Sequence, residues 1–257
     1  MIEVRGAGGG AGRRPPEILR SLVARAIEVL GSEPDADDVI RWAAREFGSQ
    51  LAVASSMSDA VLTHLVARHL PGVDVVFLDT GLHFPETLDY RDEVSRVVAV
   101  TILSLQPELT VEEQAERHGA WLHQRHPASC CRLRKVEVMD RALRPYEAWV
   151  TGLRRVDSQT RRRTPILEWD ERRGMVKLNP LVPWTDDDVA AYVARHDLPE
   201  HPLRPLGFLS IGCAPCTRAV EPGEPARAGR WADSDKTECG LHDDPQARAA
   251  QFDPPRG

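Results

Sequence analysis

Apolar residues recur at helical spacing from Ile18 through Leu19, Leu22, Val23, Ala26 and Ile27 to Leu30, and the run stops at Gly31. This predicts an amphipathic helix over 15–30. A second helix begins at Asp35 and sets Val39, Ile40, Ala43 and Phe47 on one side. The pattern then changes to short apolar runs separated by helical stretches. Strands are predicted over 51–54, 73–78, 97–103 and 148–151. Helices are predicted over 58–70, from Pro85, from Thr110 and over 131–143. Glu113, three residues after Thr110, completes a capping box. Strands that alternate with helices in this way predict an α/β fold, a doubly wound, mostly parallel, Rossmann-like sheet.

After a further apolar run at 175–178 the texture changes. Thr185 caps an acidic-led helix over 186–196, and the stretch from there to Pro225 is rich in proline. Little apolar periodicity remains beyond it. Three parts are expected: a glycine-rich flexible arm over 1–14, an α/β domain over 15–217, and a mobile C-terminal segment over 218–257.

Composition narrows the classes. The 257 residues are 42% hydrophobic and 28% charged, enough for a buried core. No apolar run approaches the ~20 residues of a membrane helix. The N-terminal residues have no apolar stretch of the secretory kind, so a cytoplasmic setting is expected. A formal charge of −6 is unlike a nucleic-acid-coating protein. Five cysteines are too few, and odd in number, for a disulfide framework. Cys130 and Cys131 are adjacent, Cys213 and Cys216 form a Cys-Ala-Pro-Cys, and Cys239 stands apart.

Several groups of residues carry chemistry. The strand at 51–54 runs into Ser55-Ser-Met-Ser-Asp59, a turn that offers hydroxyls and backbone N–H groups to an anion, or that simply caps a helix with Ser58. Leu78-Asp-Thr-Gly81 follows the next strand. In open α/β sheets ligands bind beyond the carboxyl ends of strands, where both turns would lie. Gly152 allows close approach of a ligand to the backbone, and Arg154, Arg155, Arg161, Arg162 and Arg163 follow it. Arg227 and Arg230 add to them. Such a run is either a solvated face or a site for a small, highly anionic ligand. Adjacent cysteines point about 100° apart on a helix, which suits two irons of a cluster better than one ion. Structural zinc and unligated thiols remain alternatives. Cys239, between Lys236 and His242, is a nucleophile or an incidental exposed thiol.

From about Leu51 to His242 the chain resembles the assimilatory adenylyl-sulfate reductases of the phosphoadenylyl-sulfate reductase family. The resemblance is carried by Leu78-Asp-Thr-Gly81 with His83-Phe-Pro-Glu-Thr87, Cys130-Cys-Arg-Leu-Arg-Lys135, Gly152-Leu-Arg-Arg155, Ile211-Gly-Cys-Ala-Pro-Cys216 and Glu238-Cys-Gly-Leu-His242. It implies an adenine-nucleotide alpha-hydrolase-like fold and reduction of adenosine 5'-phosphosulfate (APS) to sulfite and AMP, with thioredoxin as electron donor. It further implies that Cys130, Cys131, Cys213 and Cys216 ligate a 4Fe-4S cluster. Cys239 would attack the sulfuryl sulfur and pass through an S-sulfocysteine. Lys135, Arg227 and Arg230 would neutralise the leaving AMP. Arg154, Arg155 and Arg161 would order a loop over the nucleotide, and Ser55 with Leu78 and Gly81 would hold the adenosine. A homo-oligomer is among the arrangements the resemblance allows.

Three rivals remain. The 3'-phosphorylated substrate (PAPS), alone or beside APS, is the nearest. A tRNA-thiolating enzyme of the same superfamily would need a Ser-Gly-Gly loop for ATP, and Ser55-Ser-Met-Ser-Asp59 is not one. A zinc-stabilised nucleotide-binding module would be colourless and would have no use for Cys239.

Overall fold

The structure, a computed structural model, describes residues 12–242. Helices α1 (Pro16–Leu30) and α2 (Ala36–Phe47) come first, each stopped by a glycine. Asp35 caps α2 by accepting the Asp37 N–H at 2.7 Å. Then come β1 (Leu51–Ala54), α3 (Val61–Ala67), β2 (Val73–Leu78), α4 (Pro85–Val97) and β3 (Val100–Leu105). The short helices α5 (Val111–His118), α6 (Leu122–Arg125) and α7 (Pro127–Cys131) lead into α8 (Glu137–Ala142). The chain finishes with β4 (Ala148–Thr151), β5 (Leu167–Asp170), β6 (Met175–Leu178) and α9 (Asp186–Arg195).

The strands form one sheet in the order β3-β2-β1-β4-β6-β5. All neighbours are parallel except β5, which pairs antiparallel with β6 at the edge. The central strands are almost continuously apolar because helices cover both faces. Val53, Val75 and Val150 face the larger core, under α1, α2, α3 and α9, while Ala52, Val76 and Trp149 face a smaller one under α8. Edge strand β3 is only half-buried. The chain order reverses between β1 and β4, so the crevice at their carboxyl ends is the topological switch point.

The predicted α/β class and four of the strands recur, with three differences. The strand expected over 97–103 starts later, because Val97 still belongs to α4. The helix expected from 58 begins only at Val61, since Asp59 accepts the Val61 N–H at 3.0 Å and the residues before it form an open turn. Strand β5 was not anticipated: its Leu-Glu-Trp-Asp sequence is polar enough for an edge, and the turn to β6 uses Gly174 at φ 61°.

At the amino end, the inner boundary of the arm moves. Arg14 is clamped to Glu147, with Nε donating to Oε2 at 2.8 Å, and it also pairs with Glu46. A guanidinium fork between two carboxylates ties this residue to the body; residues 1–11 lie outside the described residues. The segment expected to be mobile is described as far as His242 and lies against the body.

Candidate functional site

Beyond the carboxyl ends of β1 and β4 opens a cleft with about 1450 Å³ of empty volume, its mouth included. Of the expected ligand residues it is lined by Ser55, Leu78, Lys135, Gly152, Arg154, Arg161, Arg227, Arg230 and Cys239. Residues nearly 190 positions apart in sequence therefore meet because the fold converges there.

The turn after β1 is fixed locally. Ser55 Oγ accepts the Met57 N–H at 3.1 Å, and Met57 sits at φ 55° with its side chain buried. This leaves Ser56, Ser58 and Asp59 on the cleft wall. After β2, Leu78 reaches the cleft but Gly81 does not. Gly81 adopts φ 68° behind it, where an added Cβ would come within 3.3 Å of Arg134 Nη2. The positive φ is what favours glycine at this position. His83 lines the cleft instead, with Nε2 2.8 Å from the Leu78 carbonyl and its ring stacked on Phe77. Burial keeps this imidazole below its ordinary pKa.

The arginines separate into two groups. Arg155 leaves the cleft, donating to Glu33 at 2.9 Å and to the Thr164 carbonyl at 3.2 Å. Arg154, Arg227 and Arg230 stay inside. Arg154 pairs with Asp157 and Asp186, each at 2.8 Å, yet its Nη1 is buried without a partner. Arg230 Nε is likewise buried without a partner, while its Nη1 reaches Ser210 Oγ and the Ile211 carbonyl at 3.3 Å. Gly212 makes this possible, for a Cβ there would fall 2.2 Å from Arg230 Nη2. Burial, with Arg161 and Arg230 close by, pushes the Arg227 guanidinium down to about 10. Buried guanidinium N–H groups without acceptors, Arg154 Nη1 and Arg230 Nε, are the chemistry that accepts an anion.

Four thiols line a second, smaller cavity: Cys130, Cys131, Cys213 and Cys216. The helix expected over 131–143 is interrupted here by a wide π-type turn, Arg132–Val136, a feature frequent at functional sites. Arg134 and Lys135, both in that turn, line this cavity. Arg134 is buried and donates to the Thr80 carbonyl at 2.5 Å and to Gln114 Oε1 at 3.1 Å. Lys135 borders the thiol cavity and the cleft alike. Burial opposes its charge, but the sulfurs of Cys213, Cys131 and Cys239 act the other way and raise its pKa.

Burial works against the Cys213 thiolate too, yet Lys135, the Thr80 hydroxyl at 3.3 Å and Arg230 together lower its pKa. Burial pushes Cys130 up to about 11 and Cys131 to about 12, the crowding of other thiols adding to it. Such crowding is what a bound metal relieves. Among the described residues, no three His, Cys, Asp or Glu side chains converge on one point as the ligands of a single metal ion would. The four cysteines instead surround a shared space.

The C-terminal segment closes the cleft. The Trp231 N–H donates to the Cys216 carbonyl at 3.0 Å, and Glu238 forks onto Arg161, with Nε and Nη2 donating at 2.8 Å each. His242 stacks on Trp149 of β4 at 5.6 Å, and burial keeps it neutral. Glu238, Gly212 and Arg134 stand in the motifs that carry the resemblance, where Glu238 reads only as a charge opposing the Cys239 thiolate, and the sequence assigns a structural task neither to them nor to Trp149. For Glu238 and Gly212 a signal existed, since each directly precedes a cysteine already singled out.

Residues 50–219 match the family described as phosphoadenosine phosphosulfate reductase domain. A Streptomyces coelicolor protein named adenosine 5'-phosphosulfate reductase is 52% identical over 229 residues, 89% of this chain and 97% of that one. One of the same name from Mycolicibacterium smegmatis is 48% identical over 224 residues, 87% and 94% of the two chains. The crystal structure of phosphoadenylyl-sulfate (PAPS) reductase from Candida auris, a phosphate complex, superposes with a TM-score of 0.63 at 28% identity, over 82% of this chain and 100% of that one. A Candida glabrata FMN adenylyltransferase, with a TM-score of 0.51, 13% identity and coverage of 90% and 86%, shares the fold alone.

Proposed function

The chain belongs to the phosphoadenosine phosphosulfate reductase family, and from that premise we propose that it reduces APS to sulfite and AMP in sulfate assimilation, in the cytoplasm, with thioredoxin as electron donor. One observation carries the reading: the lone thiol, Cys239, lines a cleft with Arg154, Arg227, Arg230 and Lys135 at the switch point of a nucleotide-binding type of sheet.

Arg154 and Arg230 offer unpartnered N–H groups to the phosphosulfate, Arg227 lines the same wall, and Lys135 adds an ammonium. Ser55, Leu78 and Gly152 line the part of the cleft left for the adenosine. The Cys239 thiolate attacks the sulfuryl sulfur. An S–S bond forms as the S–O bond breaks, and its electron pair leaves on the AMP phosphate, whose charge the cations neutralise. A thioredoxin thiolate then attacks Cys239 Sγ and expels sulfite. The second thioredoxin thiol closes a disulfide and returns the Cys239 thiolate. The sulfuryl sulfur gains two electrons, and thioredoxin loses two.

Cys130, Cys131, Cys213 and Cys216 fit a 4Fe-4S cluster: the donor set is all thiol, crowded, and backed by the cations Arg134 and Lys135. When bound, such a cluster supplies a redox-capable, thiolate-ligated iron–sulfur centre beside the cleft.

Anaerobically purified protein incubated with APS and no thioredoxin is expected to gain the mass of one SO₃ group on the peptide containing Cys239. Thioredoxin then removes that mass and releases sulfite, and kcat/KM is much higher for APS than for PAPS. An adduct on another cysteine, or equal efficiency with PAPS, contradicts the reading.

A further inference from the structure

A line of alternating charge runs along the cleft wall. Asp186 and Asp157 each pair with Arg154 at 2.8 Å, Asp157 pairs with Arg161 at 3.0 Å, and Arg161 pairs with Glu238 at 2.8 Å. Arg227 closes the line on Glu238 at 3.4 Å. All three nitrogens of Arg161 donate to carboxylates, Nη1 to Asp157 and Nε with Nη2 to Glu238. This arginine therefore has no nitrogen left without an acceptor while the segment is seated, unlike Arg154 and Arg230. Ser158 and Thr160 add hydroxyl donors to Glu238 Oε1 at 3.2 and 3.1 Å. One carboxylate next to the cysteine thus gathers contacts from the loop after β4 and from Arg227.

The geometry points to Glu238 as the positioning residue that seats Cys239: its carboxylate, forked by Arg161 and held by Arg227, latches the C-terminal segment over the cleft. Arg161 then clamps the tail. The latch serves the attack on substrate and opposes the later visit of a protein donor, which needs the thiol outside. That consequence rests on the function proposed above; the latch does not.

The test uses anaerobically purified, cluster-loaded protein with Glu238→Gln and, as an independent break of the same contact, Arg161→Ala. Without substrate, alkylation of Cys239 by iodoacetamide, followed on its peptide, is expected to accelerate roughly 10- to 100-fold in both variants, as for loss of a charge-assisted hydrogen-bond pair. Glu238→Asp gives an intermediate rate. In single turnovers, adduct formation from APS slows in both variants, while thioredoxin releases sulfite from preformed adduct at least as fast as in the parent. A purely structural role would slow both halves together. Unchanged alkylation in both variants, or parallel loss of both half-reactions, overturns the latch. Faster alkylation with no APS adduct in the parent protein keeps the latch and overturns the function instead.

Discussion

Between β1 and β4 the chain is held by side chains with no access to water: Val53, Trp149 and Val150 are all fully buried. From 218 to 242 no helix or strand forms, and the ties include an isolated bridge between Thr217 and Arg230, the buried Trp231 ring, the Glu238 fork and the stacked His242. Apolar burial in the sheet is undone only when the body unfolds. Scattered ties, polar and aromatic, on a segment without regular structure can open locally. In the proposed reaction the body therefore fixes where the anion sits, and the segment brings the nucleophile and takes it away. Lys135 belongs to the body yet borders both the thiol cavity and the cleft, so the two regions share one electrostatic field.

The comparison breaks hardest at the thiol cavity. Wild-type protein purified without oxygen is expected to be brown and to contain iron and acid-labile sulfide. Cys213→Ser is expected to lose colour, iron and turnover together, because it removes the thiol next to Lys135 and Thr80. An iron and sulfide assay decides it, and full iron with full activity would refute the assignment of this cavity.

A smaller effect is expected from the sheet. Leu178→Ala, at a fully buried position on β6, should cost about 2–5 kcal/mol, lowering Tm by roughly 5–15 °C in a scanning calorimeter. The folded fraction should still form the Cys239 adduct. The smallest effect lies in the segment. Arg218→Ala removes an exposed pair with Glu224, and Tm should stay within about 1 °C. A large Tm loss there would mean that the segment is as integral to the body as β6.

The two regions also differ in how far the sequence disclosed them. The central strands were legible because burial on both faces writes an unbroken apolar run, as in Val73–Leu78. The caps at Asp35, Thr110 and Thr185 were legible because one side chain and its neighbour suffice. Edge strand β5 was hidden because half of its surface is polar. In the site, the cysteine and arginine residue types were visible, but their destinations depend on contacts between distant segments. Arg155 and Arg161 lie in one arginine-rich stretch, yet Glu33 draws the first outward and Glu238 holds the second at the cleft. Gly81 reads like a ligand-contact glycine, and only the folded turn shows its positive φ and its place outside the cleft lining. Local chemistry is written locally, whereas partnerships across 70 or more positions emerge only with the fold.

The central claim is that Cys239 supplies the nucleophile while the body supplies the binding site, and Cys239→Ser tests it most directly. The measurement pairs the dissociation constant for APS with the turnover rate in one anaerobic, cluster-loaded preparation. A hydroxyl is a far weaker nucleophile than a thiolate at neutral pH, so turnover should fall by orders of magnitude while APS affinity, iron content and Tm stay close to the parent values. Retained turnover, or a loss of APS binding as large as the loss of rate, would contradict the account.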